Sequence, residues 1–496
     1  MFFRGPARTQ PAQVETDDVY PVHMLDGSKT FRDIVIVWTM CFNDVLDADK
    51  LHVSLSRLLE IGDWRKLGGR LRFKENGELE IHVPRSFTKD RPAISYSHQA
   101  LSVNIEDHEL AKTLPKATSN TSIHAGPQHI RPLAVPDGAP VTLADYIYDD
   151  KPQLSLFVTS FNNATFVSLS WPHTVMDVMG QKAILHAWSL VLANRESEVP
   201  PLLGARDDAL CAAADASADT PTQKNEESKL AQKQLKGWAM LKFGLLFAWD
   251  MFWNPVVEAR TICLPEKAMA ELRRQAQEDL QVQGGGEEPP FVSDGDLLTA
   301  WVVRGVASSL PQPRPVTVLH AVNARFRLQS LIRASGSYVQ NMAVVAFAFF
   351  SSEVASGSLG PIALENRHHL LEQSSEAQVL AFIRQMGWEE TKAGRDSPLL
   401  YGDSDALLMV LTNWTKADIF RITDFSPAIV RAGEISEERR NPPGTMVFQY
   451  AQSMRESSMM RNVVIVLGKD HAGNYWLVGN LLPAAWDRFE ECVGRM

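Results

Sequence analysis

His173 and Asp177 stand four residues apart in WPHTVMDVMG, residues 171–180, directly after a run that reads as a strand. Imidazole titrates near neutrality, so His173 could take a proton from an attacking hydroxyl or amine. Asp177 would then hold the geometry. Chance alone supplies about one His-x-x-x-Asp pair in a chain of this composition, so context has to carry the reading. Here the histidine falls at a strand end, where a sheet presents side chains to a cleft, and Gly180 allows close backbone approach as a helix begins. Two plainer readings stay open at this level. The histidine could be satisfied by backbone and the aspartate could cap the helix, or the pair could share a metal. The metal reading needs a third ligand that the sequence does not nominate, since His368 and His369 fall within an amphipathic helical pattern.

Two further stretches carry candidate chemistry. In LTNWTKADIFRITDFSPA, residues 411–428, Thr412 and Trp414 alternate at the end of a strand and point to one side. An indole N–H and a hydroxyl so placed could donate to an oxyanion; the alternative is an ordinary core tryptophan and strand threonine. Asp424, in the turn-like DFSPA, is expected to bond locally or to pair with an arginine. In HAVNARFRL, residues 320–328, Arg325 and Arg327 alternate at a strand end, and one of them is expected to pair with Asp177 or Asp424 as a structural ion pair.

The surrounding pattern supplies elements to position these groups. Strands are expected over 31–42, 154–161, 165–171, 316–323, 406–413, 445–451 and 462–468, with helices over 49–60, 177–194, 294–307, 362–371, 376–387 and 483–492. Asn76-Gly77 marks a type I′ hairpin within 69–84, Asn162-Asn163 a second hairpin, and Ser293 with Asp296 a capping box. Residues 204–229 are small, polar and aperiodic, which marks a crossover between an N-terminal domain (1–203) and a C-terminal one (232–496). The triple glycine in QVQGGGEEPP, residues 281–290, fits no phosphate-binding pattern and reads as a loop. The aromatic residues Trp238, Phe243, Trp249, Phe252 and Trp253 could line a pocket or pack as an amphipathic cover.

Composition bounds the function. A chain of 496 residues with 45% apolar and 22% charged residues is that of a globular protein of several domains. A net charge of −10 disfavours nucleic acid. The longest apolar runs, 245–253 and 342–350, fall well short of the roughly 20 residues that span a bilayer. No export or organelle signal stands out, so a cytoplasmic address is expected. Cys41, Cys211, Cys263 and Cys492 lie far apart and suggest neither a disulfide framework nor a zinc site.

Taken in order, the pieces resemble the acyl-CoA-dependent acyltransferases of the BAHD superfamily, most closely its fungal, trichothecene acetyltransferase-like branch. The likeness runs through PVHMLDGSKT, KLGGRLR, GELEIHVP, the His173 to Asp177 motif, SDGDLLTAWV, VLHAVNARFRL, YVQNMAV, TNW, DFSPA and YWLVGNLLPAAWDRFEE. It implies an α/β fold of two chloramphenicol-acetyltransferase-like domains, with mixed sheets flanked by helices and an active-site channel at their interface. It further implies acyl-CoA as co-substrate, acetyl-CoA the expected donor, and transfer to a hydroxyl of a small secondary metabolite by a monomer with no metal. His173 would be the base, with direct attack and no acyl-enzyme. Trp414 and Thr412 would serve the oxyanion. Asp177 would turn into a salt bridge with Arg325 or Arg327, and Asp424 would be structural. Val178 stands where the plant motif has glycine, and Ser426-Pro427-Ala428 replace Gly-Trp-Gly. Those departures leave room for a condensation-type or cyclising catalyst without CoA, or for a non-catalytic metabolite-binding descendant.

Overall fold

The computed structural model describes residues 8–218, 227–285, 288–332, 334–393, 399–434 and 439–494. In the first part of the chain lie β1 (Val35–Phe42), α1 (Ala48–Leu58), β2 (Ser95–Ala100), β3 (Ser122–Ala125), β4 (Ser155–Ser160), β5 (Thr165–Pro172), α2 (Val178–Leu192) and α3 (Ala209–Ala218). The rest supplies α4 (Gly237–Trp253), β6 (Glu258–Leu264), α5 (Glu266–Gln283), α6 (Asp294–Ala307), β7 (Val316–Asn323), β8 (Ala343–Phe350), α7 (Leu359–Gln373), α8 (Glu376–Ala393), β9 (Leu407–Asn413), β10 (Phe448–Ser453), β11 (Val463–Lys469), β12 (Tyr475–Leu481) and α9 (Pro483–Val493).

Two mixed sheets organise these elements. The first has five strands in the order β10-β1-β5-β4-β2, and the second has seven in the order β8-β7-β9-β11-β12-β6-β3. Neither sheet is built from one half of the chain. β3 comes from the first half yet closes the second sheet by pairing with β6, while β10 comes from the second half and pairs with β1. Each sheet therefore borrows an edge strand across the expected crossover, which ties the two halves together by backbone hydrogen bonds.

The burial pattern explains the strand sequences. Every residue of β5, TFVSLSWP, is buried, as expected for a central strand covered on both faces. In α1 the leucines 51, 55 and 58 form the buried face, and Leu59 joins them in the core. Ser293 and Asp296 form the expected capping box at the start of α6, with the Ser293 hydroxyl accepting from the Asp296 N–H at 3.3 Å and the Asp296 carboxylate accepting from the Ser293 N–H at 2.9 Å.

Three local expectations are corrected. In the 70–83 hairpin only Gly77 has positive φ, 82°, and Gly77 N–H donates to the Lys74 carbonyl at 3.0 Å. That geometry is a type I turn closed by a left-handed glycine, not the type I′ turn. The 204–229 stretch is not structureless: α3 lies within it and buries Leu210 and Ala214. Its small residues make a helix that packs closely; positions 219–226 lie outside the described residues. The strand expected from residue 31 begins at Val35, because Ser28 caps a helical turn over Lys29–Arg32.

One buried ion pair that no local pattern marks joins distant segments. Asp44, fully buried, accepts from Arg439 at 2.8 Å and from the backbone of Gly433 and Gly444. Burial pushes this carboxyl up, and the Arg439 and backbone donors more than offset that, leaving it below its ordinary value.

Candidate active site

A cavity of about 1710 Å³ lies between the sheets, and its wall includes His173, Asp177, Thr412, Trp414 and Arg327. It exceeds the roughly 300–1,000 Å³ of a pocket for one small ligand, so it can hold two substrates together.

His173 follows β5 directly and is held from three sides. Its N–H donates to the Ile34 carbonyl at 2.8 Å. Its carbonyl accepts from the Asn341 side chain at 2.8 Å. Its ring stacks on Phe31 with centroids 4.3 Å apart and planes at 9°. Asn341 is itself fixed, since both its N–H and its side-chain amide donate to Asp26 at 2.8 Å. Burial pushes the Asp26 carboxyl up to about 7, with Lys66 and Asn341 pulling the other way. Within the His173 ring, Nδ1 is buried without a hydrogen-bond partner, and the residue borders the cavity. Burial lowers the imidazole below its ordinary value, which favours the neutral ring.

Asp177 faces the other way. It caps α2, with one carboxylate oxygen accepting from Met179 and Gly180 N–H at 3.0 and 3.1 Å. The other accepts from Arg325 at 2.7 Å and from Met342 N–H at 2.9 Å. Cap and salt bridge, offered as alternatives by the sequence, are here one carboxylate. Gly180 explains the displaced glycine of the motif: a Cβ there would lie 2.5 Å from the Val339 carbonyl oxygen. Position 178 is the first turn of α2 and borders the cavity, where a side chain fits. Gly180→Ala is therefore expected to cost about 1–3 kcal/mol of stability, read as a lowered Tm, while Val178→Gly, which gives up a half-buried side chain at the first helical position, should cost less.

The two arginines do not share a strand face. β7 ends at Asn323, whose side chain accepts from Arg325 N–H at 2.9 Å and starts a 3₁₀ turn over Ala324–Phe326. Arg325 is buried, and beyond its bond to Asp177 it donates to the Tyr338 and Gln340 carbonyls at 3.1 and 2.5 Å. Arg327 lies on the cavity wall and makes no ion pair among the described residues. Of the two arrangements expected for Asp424, a local bond or an arginine pair, the structure has the local one. Asp424 is exposed and accepts from Ser426 N–H at 2.9 Å, closing its own turn, while the neighbouring Phe425 is buried between Phe42 and Trp188. Pro427 and Ala428 thus continue a turn anchored by Phe425.

Thr412 and Trp414 are joined: the indole N–H donates to the Thr412 hydroxyl at 3.1 Å. Two independent donors were expected from the alternation, whereas the geometry makes a chain in which Thr412 accepts from Trp414 and keeps its own O–H to give. Sequence reasoning missed His320, a second histidine on the cavity wall, which burial pushes down to about 4 and whose Nε2 has no partner. Its place in the strand HAVN gave it no motif. Of the aromatic residues 238–253 expected as pocket or cover, none of the five borders the cavity; Phe247 does.

No family model matches the chain. It is 37% identical to O-acetyltransferase PaAT-2 of Phomopsis amygdali, over 96% of this chain and 98% of that protein. It is 35% identical to acetyltransferase pyiB of Pyricularia grisea, over 98% and 95%. Among solved structures it is similar to F. graminearum TRI101, determined with coenzyme A and T-2 mycotoxin, at a TM-score of 0.63 and 15% identity over 96% of this chain and 97% of that one. The structural likeness carries the fold, and the near full-length identity to the fungal enzymes carries the kinship: the chain belongs to the BAHD-type fungal acetyltransferases.

Proposed function

We propose that the protein transfers an acyl group, acetyl in the first instance, from acyl-CoA to a hydroxyl of a small secondary metabolite, with His173 as general base. The observation that carries this reading is His173, clamped by Phe31 and Asn341 on the wall of a cavity large enough for both substrates. Kinship with PaAT-2 and pyiB supports acetyl as the group moved, and the coenzyme A bound by F. graminearum TRI101 supports the donor. In this reading the division at 204–231 separates two halves, each lending the other an edge strand.

His173 Nε2 takes the proton of the acceptor O–H as the oxygen attacks the thioester carbonyl carbon. The carbonyl electrons move onto oxygen, and the Thr412 hydroxyl, polarised by the Trp414 N–H behind it, donates to that oxyanion. Collapse re-forms the carbonyl and breaks the carbon–sulfur bond, and the imidazolium returns its proton to the departing CoA sulfur. Alcohol and acyl-CoA become ester and CoA thiol, and no group on the protein is acylated. Asp177 and Arg325 touch neither substrate; they hold the turn between His173 and α2. Arg327 and Arg455, cavity-wall cations without an ion pair among the described residues, are the groups suited to the CoA phosphates.

The test is thiol release from a panel of acyl-CoAs with candidate alcohols, with ester formation followed by mass. Release without an ester, or none above a His173→Ala background, defeats the proposal. The oxyanion chain has its own signature. Thr412→Val should lower kcat by about 10²-fold with the acyl-CoA KM nearly unchanged, and Trp414→Phe by less, because it removes the second donor only. pH supplies another. The base must be neutral and its pKa lies below 6.5, so kcat/KM should rise through an acid limb below pH 6.5 and stay level from there through neutrality. Phe31→Ala, which admits water to the ring, should move that limb upward.

A further inference from the structure

α4, GWAMLKFGLLFAWDMFW, carries only two charges, Lys242 and Asp250, and so apolar a composition normally marks a buried helix. One side of it is accounted for. Asp250 pairs with Arg461 at 2.7 Å, Arg461 also donates to the Asn254 carbonyl at 2.8 Å, and Phe247 borders the cavity. The opposite side is not. Trp238, Leu241, Leu245, Trp249, Phe252 and Trp253 recur at helical spacing on one exposed face, and Trp238 and Phe252 are 83% and 74% exposed. The only charge on this helix face is Lys242, at its edge beside Asp405. A covering layer is therefore required that the described residues do not supply.

We propose that this face docks on the surface of an anionic lipid bilayer. Three observations select lipid over a protein partner. Tryptophans stand at both ends of the helix, where amphipathic rings sit at headgroup level when a helix lies in the interface plane. Residues 229–236 carry Lys229, Lys233 and Lys236, all exposed, and no acidic side chain, on a chain whose net charge is −10, while Lys242 is paired with Asp405. That local reversal of sign complements phosphatidylserine-type headgroups. The helix is also continuous with the cavity wall, for Pro255, Val256 and Val257 follow it directly and border the cavity. Docking would place that wall against the bilayer, where apolar molecules concentrate. No helix among the described residues is long and apolar enough to cross a membrane, so the contact is superficial.

Flotation with vesicles of phosphatidylcholine, with and without phosphatidylserine, tests this on the full chain independently of any activity. The wild type should float with the mixed vesicles, more weakly at high salt and more weakly with phosphatidylcholine alone. Trp249→Ser combined with Phe252→Ser should lower the partition roughly tenfold or more, and both residues are exposed, so the Tm should hold. Should the variant misfold, quenching of wild-type tryptophan fluorescence by brominated lipid gives the same answer without it. No flotation of the wild type, flotation untouched by the double substitution, or absence of quenching overturns the proposal. So does a concentration-dependent dimer that the same substitutions dissolve, for then a second copy covers the face.

Discussion

Replacing His173 with alanine should lower kcat for acyl transfer by about 10²–10⁴-fold while leaving the Tm close to that of the wild type. The expectation follows from how the residue is held. The backbone at position 173 is fixed by Ile34 and Asn341 through main-chain atoms, which the substitution keeps, and only the ring stacked on Phe31 is lost. Loss of a half-buried imidazole whose buried Nδ1 has no partner removes no hydrogen bond on that side. His173→Gln, which restores polar volume but cannot take a proton near neutrality, should be as inactive as alanine. An active glutamine variant would mean that the ring positions substrate and does not act as base.

The second large effect is on stability. Asp177→Asn should destabilise by about 3–5 kcal/mol, because Arg325 is then left buried and unpaired. Asp177 closes four contacts at once: two N–H groups of α2, the Met342 N–H and the Arg325 guanidinium. Arg325→Met should cost a comparable amount, and the double variant less than the sum, since removing both charges removes the penalty of an orphan. A thermal melt of the three variants checks this. An unchanged Tm in Asp177→Asn would contradict the salt-bridge role and point back to direct participation in the chemistry. Activity should fall alongside stability, because the capped start of α2 and the Asn341 bracket meet on either side of His173.

Much of this was legible in the sequence where the information is local. The strand before His173, the leucine face of α1, the capping box of α6 and the strand ahead of Thr412 all follow from periodicity and side-chain chemistry within a dozen residues. What was not legible is set by distant partners. β3 is four residues of mixed polarity, SIHA, and becomes a strand only because β6 offers it an edge. β10 joins β1 from the far end of the chain. Asp44 and Arg439 pair across almost the whole sequence. The bond between Trp414 and Thr412 could not be told from two parallel donors by alternation alone, and the turn capped by Asn323 separates arginines that strand spacing would align. The exposed aromatic face of α4 is a case where composition pointed to burial and the fold leaves the face open.

The central claim is direct transfer from acyl-CoA to an acceptor oxygen at His173. The measurement that meets it most squarely is a single-turnover reaction with acetyl-CoA labelled in the acetyl group, quenched over time with and without an alcohol acceptor. The account predicts that the label passes to a small-molecule ester in step with CoA thiol release, that both require the acceptor, and that none is recovered on the protein at any time. Label covalently retained on the protein, or thiol release that does not need the acceptor, would contradict it.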